Sequence, residues 1–213
     1  MKQLLIDFLR IPVALISLLI LSLGLAHAQA PRGNPVTIRG KIAALEKQAL
    51  KVSTSAGDVL VKYPDDVRIG GVESAKLSDI SSGSYVGVTA IKQGDGNLKA
   101  LEVHIFPESS RGTGEGHRPW DLAPGSTMTN ANVEKVDQVA VEKVQGQMLT
   151  LKYKDGEQKI FVPPGTPIVR NVSGDRSLLK VGTGVYIPAV RSDDGTLTAT
   201  RITAGVGGIM PPM

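Results

Sequence analysis

The stretch from Leu50 to Val103 recurs, residue type for residue type, about ninety-nine positions later, which limits the fold to one that roughly seventy residues can build twice. Leu50-Lys51-Val52, Gly57, Val61, Pro64 and Ile69 are answered by Leu149-Thr150-Leu151, Gly156, Ile160, Pro163 and Ile168. The offset drifts to 101 where Gly83-Ser84-Tyr85 aligns with Gly184-Val185-Tyr186, predicting a two-residue insertion, and returns to 99 for Asp95-Gly96 against Asp194-Gly195. Glycine and proline positions answer to dihedral needs, so their shared spacing argues for one backbone path used twice.

Apolar and polar residues alternate through nearly every segment, as in Val36-Thr37-Ile38-Arg39 and Leu98-Lys99-Ala100-Leu101-Glu102-Val103. A period of two predicts strands with one buried face. Asp155-Gly156 and Asp194-Gly195 carry tight-hairpin chemistry, so consecutive strands are expected to be antiparallel neighbours. Each copy reads as about five strands, with one helical turn near Ser74 to Ser81 and again near Asp175 to Val181. The expected fold class is all-β: two tandem small five-stranded antiparallel barrels of OB-like layout, a closure that removes exposed strand edges. A β-sandwich meander is the alternative. The predicted boundaries are 36–106 and 133–204 for the two barrels, 107–132 for a Gly/Pro-rich connector and 205–213 for a disordered tail rich in Gly, Pro and Met.

Gly40-Lys41-Ile42, the Leu-x-Val strand ending in Gly57, Leu77-x-Asp79-Ile80-x-x-Gly83 before Tyr85-Val86, and Asp95-Gly96-x-Leu98-x-Ala100-x-x-Val103 resemble a bacterial family of exported β-barrel domains of unknown function. The resemblance covers both copies, and the second departs from it in having Val139 for Gly40 and Ile187-Pro188 for Val86-Gly87. It implies a small barrel in the periplasm or outside the cell and assigns no reaction.

The N-terminus fits export. Lys2 and Arg10 flank a charged start, Ile11 to Leu25 are apolar, and Ala26-His27-Ala28 offers small residues where a signal peptidase reads, so residues 1–28 are expected to be a cleaved signal peptide. The expected location is therefore periplasmic or secreted, with membrane contact only through that segment before cleavage. The chain has no cysteine, which excludes disulfide staples. Its net charge of +4 is too small and dispersed for a phosphate-tracking groove. Few aromatic residues are available as stacking platforms, so nucleic acid is not an expected partner.

The connector concentrates the chemistry. Within twelve positions it holds Arg111, Glu115, His117, Arg118, the only Trp (Trp120) and Asp121, with Gly112, Gly114 and Gly116 lending backbone freedom. Arg111, His117, Arg118, Trp120 and Asp121 are the expected ligand-binding residues; the competing reading is that Trp120 packs between the barrels. His104 and His117 are the weak metal candidates, but Cys, His-x-x-x-His and Glu-x-x-His patterns are lacking, so no metal site or cofactor is expected. No Gly-x-Ser-x-Gly elbow, cysteine nucleophile or phosphate loop occurs, so the chain reads as non-enzymatic. The expected function is an exported binding or adaptor module for a cell-envelope protein, glycan or small ligand. The alternative is a periplasmic metal-binding accessory of an envelope transport system.

Overall fold

A computed structural model describes residues 33–141 and 144–212; the expected signal peptide lies outside them. The described chain is all-β. Its strands are β1 (Asn34–Glu46), β2 (Ala49–Thr54), β3 (Gly57–Lys62), β4 (Arg68–Ser74), β5 (Tyr85–Lys92), β6 (Leu98–Ile105), β7 (Gly116–Pro119), β8 (Ser126–Val141), β9 (Val144–Tyr153), β10 (Gly156–Val162), β11 (Ile168–Ser173), β12 (Gly184–Arg191), β13 (Leu197–Ala199) and β14 (Arg201–Gly205). The two expected helical turns are 3-10 turns at Leu77–Asp79 and Arg176–Leu178.

Two five-stranded rings close, and each takes strands from both halves of the chain. Barrel I runs β1-β2-β3-β13-β12 and returns to β1; barrel II runs β8-β9-β10-β6-β5 and returns to β8. Every contact in each ring is antiparallel except one, β3 with β13 or β10 with β6. The segments 36–106 and 133–204 therefore do not close on themselves: the first three strands of one half are completed by the last strands of the other. The crossing elements are β4 and β11, which pair antiparallel with each other between the barrels. Each also runs parallel to a strand next to it, β4 to β14 and β11 to β6.

The two cores confirm the exchange. Ile38, Ile42, Leu50, Val52 and Val61 pack with Val185, Ile187, Leu197 and Ile202, whereas Val86, Val88 and Val103 pack with Val133, Leu149, Leu151 and Ile160. The plug residue after each 3-10 turn follows the same rule, Ile80 in the barrel II core and Leu179 in the barrel I core. Alternation produces these cores because successive strand residues point to opposite faces of the wall.

Register corrects the alignment of the halves. Gly83 and Gly182, ninety-nine apart, both take left-handed backbone, at φ 89° and 87°. Val86, Val88 and Ala90 face one core as Val185, Ile187 and Ala189 face the other, again ninety-nine apart. The expected two-residue insertion is thus absent, and Tyr85 corresponds to Gly184 rather than to Tyr186; a chance Gly-x-Tyr match misplaced it. The first strands differ more. Ile42 pairs with Val52 and Val133 with Leu151, each followed by a bulge, so these strands are ninety-one apart and the β8–β9 hairpin is longer by eight residues. The second half accordingly starts at Ser126, inside the expected connector. The tail is also ordered where described: Pro211 is buried, and a Cβ on Gly205 would meet the Ile209 carbonyl at 1.9 Å.

Candidate functional site

The exchange sets an outer face of barrel II against β4, β11 and β14. Along β6, Val103 enters the barrel II core while Glu102 and His104 point out of it, both fully buried. Gly87 and Thr89 of β5 are their direct partners on one side, and Met128 and Asn130 of β8 are the next row. β7 adds an outermost strand to β8, pairing Arg118 with Met128. Between this face and the crossing strands lies a cleft of about 640 Å³, lined among others by Arg68, Gly70, His104, Arg118, Trp120, Asn130, Asn171, Arg201 and Thr203.

Local contacts fix the polar groups. The Thr89 hydroxyl donates to Glu102 Oε1 at 2.7 Å, and Glu102 Oε2 has no partner among the described residues. Burial therefore pushes the Glu102 carboxyl up to about 7 against the pull of that bond and of Arg39. His104 Nε2 lies 2.5 Å from Asn171 Oδ1; a carbonyl oxygen only accepts, so this assigns the ring proton to Nε2 and leaves Nδ1 bare and buried. Burial lowers the imidazole to about 4, so it is neutral at ordinary pH. Its ring stacks on Phe106 at 5.0 Å. Asn130 Nδ2 donates to the Thr113 carbonyl at 3.0 Å, leaving Oδ1 buried without a partner among the described residues. Gly87 makes room for it, since a Cβ there would sit 2.7 Å from Asn130 Oδ1.

The cleft's charge is one-sided. Arg68, Arg118 and Arg201 line it, and among the described residues no Asp or Glu does. Arg118 donates to the Gly114 carbonyl at 2.7 Å and lies over the Trp120 ring at 5.4 Å; Arg201 lies over Tyr186 at 5.8 Å. Among the described residues none of these three forms a salt bridge, whereas Arg39, Arg111, Arg170 and Arg176 all pair with carboxylates.

Of the residues expected to bind a ligand, Arg118 and Trp120 line the cleft and the other three do not. Arg111 is held elsewhere: it donates to both Glu108 oxygens at 2.6 Å, to the Gly83 carbonyl at 2.8 Å and to Asn132. Asp121 binds Arg39 at 2.7 Å, and that guanidinium holds its carboxyl below the usual range. The pair ties the connector to β1. His117 Nδ1 is 2.8 Å from the Thr129 hydroxyl, on the face of β7 opposite Arg118, and its pKa is lowered by burial. His104 and His117 are thus in different environments, and no cluster of three or more His, Asp or Glu that could hold a metal occurs among the described residues.

Arg68, Arg201, Asn130 and Asn171 went unnoticed in the sequence because they come from four separate strands. A usable signal was nevertheless present. At the ninety-nine-residue offset Glu102 corresponds to Arg201, His104 to Thr203 and Val72 to Asn171, so the halves diverge where they face the cleft and agree where they form cores. No curated protein and no solved structure matches the chain. Residues 140–203, which run from the end of β8 to β14 and so cross from barrel II to barrel I, match a family described only as a domain of unknown function (DUF5666).

Proposed function

We propose that the protein is a non-enzymatic, exported binding module of the cell envelope, periplasmic or secreted after loss of residues 1–28, and that a small anionic ligand or glycan occupies the cleft between its barrels. The observation that carries this reading is the set of three arginines in one cleft whose described lining holds no carboxylate. Clustered like charges cost stability in the empty state, and guanidinium forks match carboxylate and phosphate oxygens. The volume of about 640 Å³ falls within the range of small-molecule sites. Ring order also supports an OB-type reading of each barrel, a scaffold on which many unrelated ligands are bound. The non-enzymatic part of the proposal is supported by His104, whose pKa of about 4 makes it a weak base at neutral pH.

Trp120 is the only tryptophan, so its fluorescence reports on the cleft. Titration with citrate or inorganic pyrophosphate is expected to change that emission saturably, with the response lost in the Arg68→Ala/Arg201→Ala double variant. Emission indifferent to both anions, or unchanged by the double substitution, overturns the reading.

A further inference from the structure

We infer that the occupant of this cleft is an acidic saccharide, a short sugar carrying carboxylate or phosphate groups; the inference rests on the binding-module reading above. Arg68, Arg118 and Arg201 come from three different strands, and all three line the cleft. Arginine only donates hydrogen bonds, which calls for oxyanions. The unpartnered groups of the cleft wall ask for the opposite. Asn130 Oδ1 and His104 Nδ1 are both acceptors, because Asn130 Nδ2 is committed to Thr113 and His104 Nε2 to Asn171. Carboxylate and phosphate groups cannot donate to an acceptor, whereas sugar hydroxyls can.

The rest of the lining agrees. Ser109, Ser110, Thr113, Ser173 and Thr203 are neutral groups suited to hydroxyls that both give and accept. Trp120 supplies an aromatic surface for the apolar face of a pyranose, and its Nε1 also lacks a partner among the described residues. Phe106 is already stacked on His104 and packed beside Tyr85, so only one aromatic face is offered. One platform amid hydroxyls and amides suits a sugar better than a nucleobase, which favours being sandwiched.

The full chain, expressed with its own N-terminal segment, is titrated by Trp120 fluorescence and calorimetry with digalacturonate, glucose 6-phosphate, cellobiose, citrate and AMP. One of the two acidic sugars is expected to bind at least about tenfold more tightly than cellobiose, citrate or AMP, and which one does so identifies the anionic group. Arg68→Ala and Arg201→Ala are each expected to weaken it about tenfold, while Arg191→Ala, outside the cleft, leaves it unchanged. Melting curves confirm that each variant is folded. Citrate binding as tightly as the sugars overturns the saccharide assignment and leaves the anion cleft standing; tightest binding of AMP or cellobiose also overturns it. No response to any probe overturns both.

Discussion

Val72 and Asn171 occupy equivalent positions in the two halves, 171 − 72 = 99, and they are paired directly with each other at the centre of the β4–β11 ladder. Pairs on either side obey the same symmetry: Gly70 meets Ser173 as Ser74 meets Val169. A pseudo-twofold axis therefore passes between Val72 and Asn171, and it is this axis that exchanges strands between the barrels. The arrangement is that of a strand-swapped dimer drawn within one chain. Its consequence for function is that the cleft lies at the symmetry junction, where the two halves need not be alike.

Exchange is directly testable because the chain has no cysteine. Thr37 of β1 pairs with Pro188 of β12, and paired antiparallel residues lie within disulfide reach. The Thr37→Cys/Pro188→Cys protein is expected to oxidise to an intramolecular disulfide, seen as a gel-mobility shift reversed by reductant. If each half instead closed on itself, Thr37 would face Thr89, and the disulfide would form with a cysteine there.

Much of this was legible in the sequence, and the failures have physical causes. Alternation in Leu98 to Val103 placed a strand, and Asp95-Gly96 and Asp194-Gly195 placed turns whose aspartates each accept the amide two residues on, at 2.9 Å. Strand exchange was invisible because it preserves the kind of contact inside each barrel: Val52 meets an equivalent core whichever half supplies the fourth strand. Ser126 to Asn130 read as connector because its Ser, Thr and Asn do not look like a strand, although Asn130 lines the cleft from it. Arg118 and Trp120 were found by local concentration. Arg68 and Arg201 were not, since only the fold brings β4 and β14 to β7.

Gly40 separates sequence spacing from packing need. A Cβ at this position would lie 2.2 Å from the Ser53 carbonyl and 2.9 Å from Val52, whereas one on Gly70 would have its nearest neighbour at 4.0 Å. Gly40→Ala is expected to lower stability by about 1–3 kcal/mol in denaturant melts, as overpacking does. Gly70→Ala is expected to stay within about 1 kcal/mol of the parent.

Buried Glu102 and His104 give opposite pH dependences. The folded state keeps the Glu102 proton up to about 7, well above the ordinary value of 4.5, so its contribution is full below 4.5 and is lost as pH rises through 7. Glu102→Gln keeps the Thr89 bond without the charge and should be more stable than the parent at pH 8, by on the order of 3 kcal/mol, with no advantage at pH 4. His104, lowered to about 4 from 6.5, contributes stability that is present above 6.5 and lost as pH falls through 4. His104→Gln should therefore flatten the acid limb alone. Melting temperatures from pH 3.5 to 8.5 separate the two, and an unchanged alkaline limb in Glu102→Gln would count against a buried, charged carboxylate.

Arg111 and Arg118 are seven residues apart in one connector and have the same chemistry, yet the structure assigns them different work. Arg111 is largely committed: Glu108, Gly83 and Asn132 accept four of its five donors and Tyr85 lies beneath it at 5.9 Å, so it pins the connector to barrel II. Among the described residues Arg118 meets one carbonyl and the Trp120 ring, which leaves donors for a ligand. Arg111→Ala is expected to lower the melting temperature while anion affinity stays within about twofold, because the Arg111 guanidinium is not among the groups that line the cleft. Arg118→Ala is expected to do the reverse, weakening anion binding about tenfold with little change in melting. Equal losses of affinity in both variants would mean that the connector's order, rather than the cleft's charge, governs binding.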